Sequence, residues 1–279
     1  MKKIAYQIPA LLIVSSLFLT SCGGSEEQKE IHEEVIIEEV TEISTDQEID
    51  YLLPSPLQIA DLFKRGGLTY IGDLTSPVEN VEKLNTKADQ KLNFGIYAAD
   101  MAYCLMNDQT QESINYLNAM RDLSEKIWMM DILNAMGLRD RLENNIGNED
   151  SLTYIMADMQ MNTDEYLEEN GMSYMGTVIF AGAWVETMYL GVQVNASEKN
   201  ENLIGKLSEQ AVVLNSLIKA IEQTDTENEF SDLVTDLKGI NAHFAAFDSN
   251  SDAPFVLTDE LVDALAKDIT ALRNKIIGA

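Results

Sequence analysis

From Leu92 to Met130 the apolar positions recur at helical spacing. Phe94, Tyr97, Ala98, Met101 and Leu105 fall at i, i+3, i+4, i+7 and i+11, which places them on one face of an α-helix. Asp108, followed three residues later by Gln111, has the form of a capping box, and Tyr116, Met120, Leu123 and Ile127 then resume the spacing. The pattern predicts two buried helices joined by a few residues. Such a hairpin packs antiparallel and leaves its outer faces for the rest of the chain to cover.

Upstream, Leu57, Ala60, Leu62 and Phe63 mark a short helix stopped by Gly66-Gly67, and a loop containing Ser76-Pro77 follows. The helix entering the hairpin is expected to start near Asn80 or Thr86. Downstream, Gly137 and Gly147 punctuate short helical pieces. Asp150-Ser151 is placed to cap a helix presenting Leu152, Ile155, Met156, Met159, Tyr166 and Leu167, which Asn170-Gly171 ends. Met172 to Val194 is the most apolar segment, with Trp184, Tyr189 and the small residues Gly176, Ala181, Gly182 and Ala183; an almost wholly apolar helix is normally a central one. Leu203 to Ile221, Phe230 to Phe247 and Leu261 to Ile276 have ordinary amphipathic spacing, and few stretches alternate with period two. The expected fold is all-α, an irregular multi-helix bundle or an array of antiparallel helical hairpins. Phe94 to Tyr103 and Met175 to Trp184 share a texture that allows a diverged duplication, but no fixed repeat length holds.

The amino terminus has a different pattern. Lys2 and Lys3 precede an apolar run from Ile8 to Leu19 that ends at Leu19-Thr20-Ser21-Cys22, the form of a secretory signal. The Leu-x-Ser-Cys ending resembles the lipobox of bacterial lipoproteins, which implies that Cys22 becomes the first mature residue and carries the acyl chains. A spanning helix needs about 20 apolar residues and this run is shorter. Nothing later in the chain reads as long and apolar enough to span, so attachment to the membrane is expected through the lipid anchor. The organisation is then a signal peptide over 1–21, a lipidated Cys22 and acidic tether over 22–55, and a helical domain over 56–279.

Between Gly23 and Asp50 eleven acids face a single base, Lys29, and such a self-repelling segment predicts an extended tether. Ser25-Glu26-Glu27 resembles the acidic address that sends lipoproteins of some bacteria to the outer face of the outer membrane. Loss of Lys2 and Lys3 with the signal takes the net charge from −28 to about −30, which argues against nucleic acid as a partner. Basic peptides, cationic polymers or divalent metals fit the charge; so does a plain solubilising role. The twelve methionines after Met1 all lie between Met101 and Met188, where they fill a core or line an adaptable surface for apolar partners.

Pro54-Ser55-Pro56-Leu57, Pro77-Val78-Glu79-Asn80 and Asn93-Phe94-Gly95-Ile96-Tyr97-Ala98-Ala99-Asp100 resemble a family of uncharacterised all-helical lipoproteins from bacteria with an outer membrane. The likeness covers roughly the first third of the helical domain. It implies a class and a compartment, either the periplasmic or the cell-surface face of the outer membrane, and carries no activity.

Catalytic parts are scarce. With Cys22 acylated only Cys104 remains, within an apolar helix, where an inert core thiol is expected. His32 lies in the tether and His243 beside Phe244 and Phe247, so no histidine pair is available for zinc or for base-assisted attack. Gly171-Met172-Ser173 lacks the last glycine and the preceding strand of a nucleophile elbow and reads as a helix stop and restart. Asp150-Ser151-Leu152 resembles a short acceptor for O-linked glycans, and serves equally as a cap.

Asp100, Asp158 and Glu186 each sit within a strongly apolar helix, where a lone carboxylate is costly to bury. Converging in a cleft, they would serve a metal or acid/base chemistry; dispersed and paired with Arg121, Arg139 or Arg141, they are structural. Asp248, Asn250 and Asp252 with Asp259 at position twelve resemble an EF-hand loop for Ca²⁺, the one cofactor considered. Ala253 at the glycine position, Phe255 and the short arm of Asp259 depart from that pattern. The functional expectation is a membrane-anchored envelope lipoprotein with a non-catalytic binding or scaffolding role. The alternative is a cell-envelope enzyme using buried carboxylates.

Overall fold

The computed structural model describes residues 53–54, 56–145, 148–248 and 254–278. The segment expected to be a signal peptide, Cys22 and the acidic stretch from Gly23 to Asp50 lie outside them. The described residues form ten α-helices and two 3-10 turns, with no strand among them: an all-α multi-helix bundle. The helices are α1 (Pro56–Arg65), α2 (Lys87–Leu105), α3 (Thr110–Lys126), α4 (Met130–Ala135), α5 (Leu138–Glu143), α6 (Glu149–Glu169), α7 (Ser173–Ser197), α8 (Glu201–Thr224), α9 (Ser231–Asn241) and α10 (Asp259–Ile277).

The hairpin is present as α2 and α3, but its start signal is misplaced by a residue. Asp108 adopts a left-handed φ of 59°, and Gln109 is the N-cap of α3 with no side-chain capping bond. Asp tolerates that conformation because its short polar side chain bonds locally, so it ends a turn as readily as it caps a helix. The same correction applies at α6, where Asn148 accepts from the Ser151 amide and Asp150-Ser151 already belong to the first turn. Thr86 does cap α2, accepting from the Asp89 amide at 3.0 Å. Gly171, at φ 67°, reverses the chain between α6 and α7.

The centre of the bundle is α2 against α7 rather than α2 against α3. Every residue of α2 from Gln90 to Leu105 is buried, so the helix is covered on all sides and not along one face. Two glycines permit the crossing. A β-carbon on Gly95 would stand 1.8 Å from the Ile179 carbonyl oxygen, and one on Gly182 would stand 2.0 Å from that of Leu92. No side chain, not even a methyl group, fits between the two backbones. Farther along α7, Phe63 of α1 fills the space over Gly191.

By length and composition α7 does pass as a membrane span, contrary to expectation. Its most apolar window is 83% buried against the other helices, which makes it the core helix of this bundle. Around the central pair, α3 covers α2, α8 and α10 cover α7, and α9 packs on α8 and α10. The methionines divide: Met101, Met120, Met129, Met156, Met159, Met175 and Met188 are buried, while Met161 is exposed together with Trp128 and Tyr154.

Candidate functional site

Just beyond the glycine crossing, α2 and α7 each bring a carboxyl group to the interface. Asp100 and Glu186 are both fully buried and lie side by side, and Arg273 reaches them from α10. The Arg273 guanidinium binds Glu186 bidentately, Nε to Oε2 at 2.7 Å and Nη2 to Oε1 at 2.8 Å. Its plane rests 4.1 Å from the centre of the Tyr189 ring, and Nη2 also donates to the Leu74 carbonyl at 3.1 Å. Asp100 Oδ2 accepts from the Ser76 amide at 2.9 Å. Oδ1 meets no N–H or O–H donor of the described residues.

Burial, joined by the negative charge of Glu186, pushes the Asp100 carboxyl well above its ordinary range. The Arg273 charge and the Ser76 amide pull the other way and are outweighed. The interior therefore favours the protonated form of Asp100 beside the Arg273–Glu186 ion pair. The cluster as a whole is then electrically neutral, one ion pair plus one uncharged carboxyl, which is the form a dry interior tolerates.

A loop seals this cluster from above. The Tyr103 hydroxyl donates to the Thr69 carbonyl at 2.8 Å and accepts from the Ile71 amide at 2.7 Å. The Tyr116 hydroxyl donates to the Ser76 carbonyl at 2.8 Å, and that of Tyr97 to the Pro77 carbonyl at 3.3 Å. Burial, seconded by Asp100, raises the pKa of Tyr97 and Tyr116, and burial pushes Tyr103 up to about 12, so all three remain neutral phenols. A protonated carboxyl beside an ionised one is the equipment of acid/base catalysis. Here both are fully buried beside the loop between Thr69 and Pro77, with both Glu186 oxygens bound to Arg273 and Asp100 Oδ2 bound to the Ser76 amide.

Of the three acids singled out in the sequence, two converge and one does not. Asp158, on α6, pairs with Arg141 at 2.5 Å and accepts from Asn162, with its side chain 24% exposed. Arg273 was not foreseen as a partner for Glu186, 87 positions away. Its signal was nonetheless present, since a lone arginine between Ile269 and Ile276 interrupts the apolar face of an amphipathic helix and requires a buried counter-charge.

The remaining candidates stand apart. Cys104 is fully buried, and burial, with Asp100 and Glu112 adding to it, pushes its thiol up to about 12, far from nucleophilic. His243 bonds Asp268 at 2.8 Å. Of the EF-hand residues, Asn250 and Asp252 lie outside the described residues. Asp248 ends the segment before them, and Asp259 opens α10 and pairs with Lys199 at 2.5 Å. No group of three potential metal ligands occurs among the described residues.

A second polar feature lies at the other end of the α2–α7 interface. Lys91 of α2 is buried with its ammonium 4.9 Å from the centre of the Tyr174 ring, 5.7 Å from that of Phe230 and 3.3 Å from Glu229 Oε2. It adjoins a cavity of about 240 Å³ between the start of α7 and the α8–α9 loop. No family model, curated protein or solved structure matches the chain.

Proposed function

We propose that this protein is a lipid-anchored lipoprotein of the bacterial outer membrane with a non-catalytic binding or scaffolding role. One observation carries the non-catalytic part: the converging acids Asp100 and Glu186 are fully buried, and their bonds to Ser76 and Arg273 tie α2, α7, α10 and a loop together. The anchor rests on the sequence at Leu19 to Cys22. Strong negative charge supports a cationic or basic partner and argues against nucleic acid.

The alternative, an envelope enzyme using buried carboxylates, draws on the convergence of Asp100 with Glu186 and on the raised pKa of Asp100, both of which a general acid requires. Cross-linking the full chain in its own envelope, wild type beside Asp100→Asn, separates the two. A binding protein captures the same partners in both forms. Turnover of envelope glycans or peptides by wild type that vanishes in Asp100→Asn would establish the enzyme instead.

A further inference from the structure

The turn after α3 leaves Trp128 69% exposed, whereas Trp184, the other tryptophan, is fully buried. A single apolar side chain in water needs no explanation, but this one stands among cations. Lys87 lies 4.5 Å from the centre of the Trp128 ring and donates to the Lys126 carbonyl. Lys126 donates to the Val81 carbonyl at 3.1 Å, and Lys83 to the Asn80 side chain at 2.9 Å. These contacts join the start of α2, the end of α3 and the 3-10 turn Val78–Lys83 into one corner of the bundle. An ammonium has three donors, and among the described residues none of these three lysines forms an ion pair with a carboxylate, as Lys199, Lys206, Lys238 and Lys275 do. We propose that this corner is the face the anchored protein lays on an anionic phospholipid surface.

Charge selects the face. Glu82, Asp89 and Glu125 are close in the chain and offset the three lysines, which leaves the corner neutral on a chain of net charge −28. An anionic leaflet repels the molecule as a whole and not this part of it, and near the leaflet the flexible lysine stems turn their unused donors toward the headgroup phosphates. The indole then enters at headgroup level, where an apolar ring with one polar N–H is favoured. Its backbone is no obstacle, since the Trp128 carbonyl already accepts from the Tyr166 hydroxyl at 3.1 Å. The tether expected over 22–55 extends to about 110 Å at most, so any face could reach the leaflet and the choice falls to charge. Three lysines and one ring do not hold a protein on a bilayer alone. They orient one that is already anchored, and turn its acidic remainder outward.

The face gives the proposed lipoprotein an orientation and rests on that reading. The test uses the acylated full chain reconstituted into vesicles of phosphatidylcholine, with or without phosphatidylglycerol, and with or without lipid brominated on the upper acyl chain. Trp128 fluorescence is the readout, with the emission of Trp128→Phe, which retains only Trp184, subtracted. In phosphatidylglycerol vesicles Trp128 should shift to the blue and be quenched by the brominated lipid, and strong salt should reverse both effects. Lys83→Gln, which leaves the Lys87 and Lys126 bonds in place, should lower the ratio of docked to free protein about fivefold. Equal quenching in neutral vesicles, or a Trp128 that stays open to acrylamide in anionic ones, overturns the face. Protection of Trp128 that rises with protein concentration in detergent without these lipids marks a second copy of the chain as its cover, and overturns it too. Vesicles that float without the protein remove the anchor, whereas protein that floats with Trp128 still in water removes this face alone.

Discussion

Asp100 occupies a position where the interior selects the protonated acid. Its folded pKa lies above the ordinary carboxylate value of 3.8, so in the folded state it holds a proton that the unfolded chain releases. The resulting stability is complete below the unfolded pKa and is lost as pH rises from there through the raised folded value. Asparagine keeps a neutral donor toward Glu186 and an acceptor for the Ser76 amide, and does not titrate. Asp100→Asn should therefore melt about 2–4 °C above wild type at neutral to mildly alkaline pH, with the gap closing toward pH 4, in thermal melts followed by circular dichroism. A gap independent of pH would contradict the raised pKa of Asp100. Arg273→Leu, by contrast, leaves Glu186 charged and unpaired, and should cost about 3–5 kcal/mol by urea unfolding.

At the scale of elements, the α2–α7 crossing depends on backbone approach, and the glycines respond according to what they face. Gly182→Ala or Gly95→Ala meets a carbonyl oxygen that cannot rotate away, so the helices must separate; a loss of about 3 kcal/mol or more is expected by denaturant titration. Gly239, in α9, has nothing within 4 Å of its missing β-carbon. Gly239→Ala should raise stability by about 0.5–1 kcal/mol, because alanine loses less backbone freedom on folding. Opposite signs for the same substitution would separate packing from propensity. Helix ends show the converse lesson. Trp128 closes α3 in the left-handed region at φ 63°, with the Met129 amide donating to the Ser124 carbonyl at 2.7 Å, a position usually given to glycine. Lys87 lies 4.5 Å from the centre of its ring.

For the whole molecule, the helical domain and the segment before it should behave as separate units toward protease. Limited proteolysis should cut first between Gly23 and Asp50, the stretch of eleven acids against one base expected to act as a tether, and should leave a fragment beginning near α1. First cleavage within α2 or α3 would contradict the buried position of that hairpin. Cys22→Ala should shift the protein out of the membrane fraction on envelope fractionation, since two acyl signals are needed for stable attachment. Retention of the variant in that fraction would exclude the anchor.

The helices were legible because each one reports itself locally. Periodicity from Phe94 to Leu105, the unbroken apolar run in α7 and the Gly66-Gly67 and Gly171 stops are properties of neighbouring residues, and a single helix obeys them wherever it packs. Cost was legible too, since an acid in an apolar helix must find a partner, which singled out Asp100, Asp158 and Glu186 before any fold was known. The partners were not legible. Arg273 meets Glu186 across 87 positions, Lys91 meets Glu229 across 138, and Gly95 meets Ile179 only because α2 and α7 cross there. Which charges meet is set by how helices stack. Stacking depends on the shapes of whole faces summed over the bundle, a quantity that no local stretch of sequence contains.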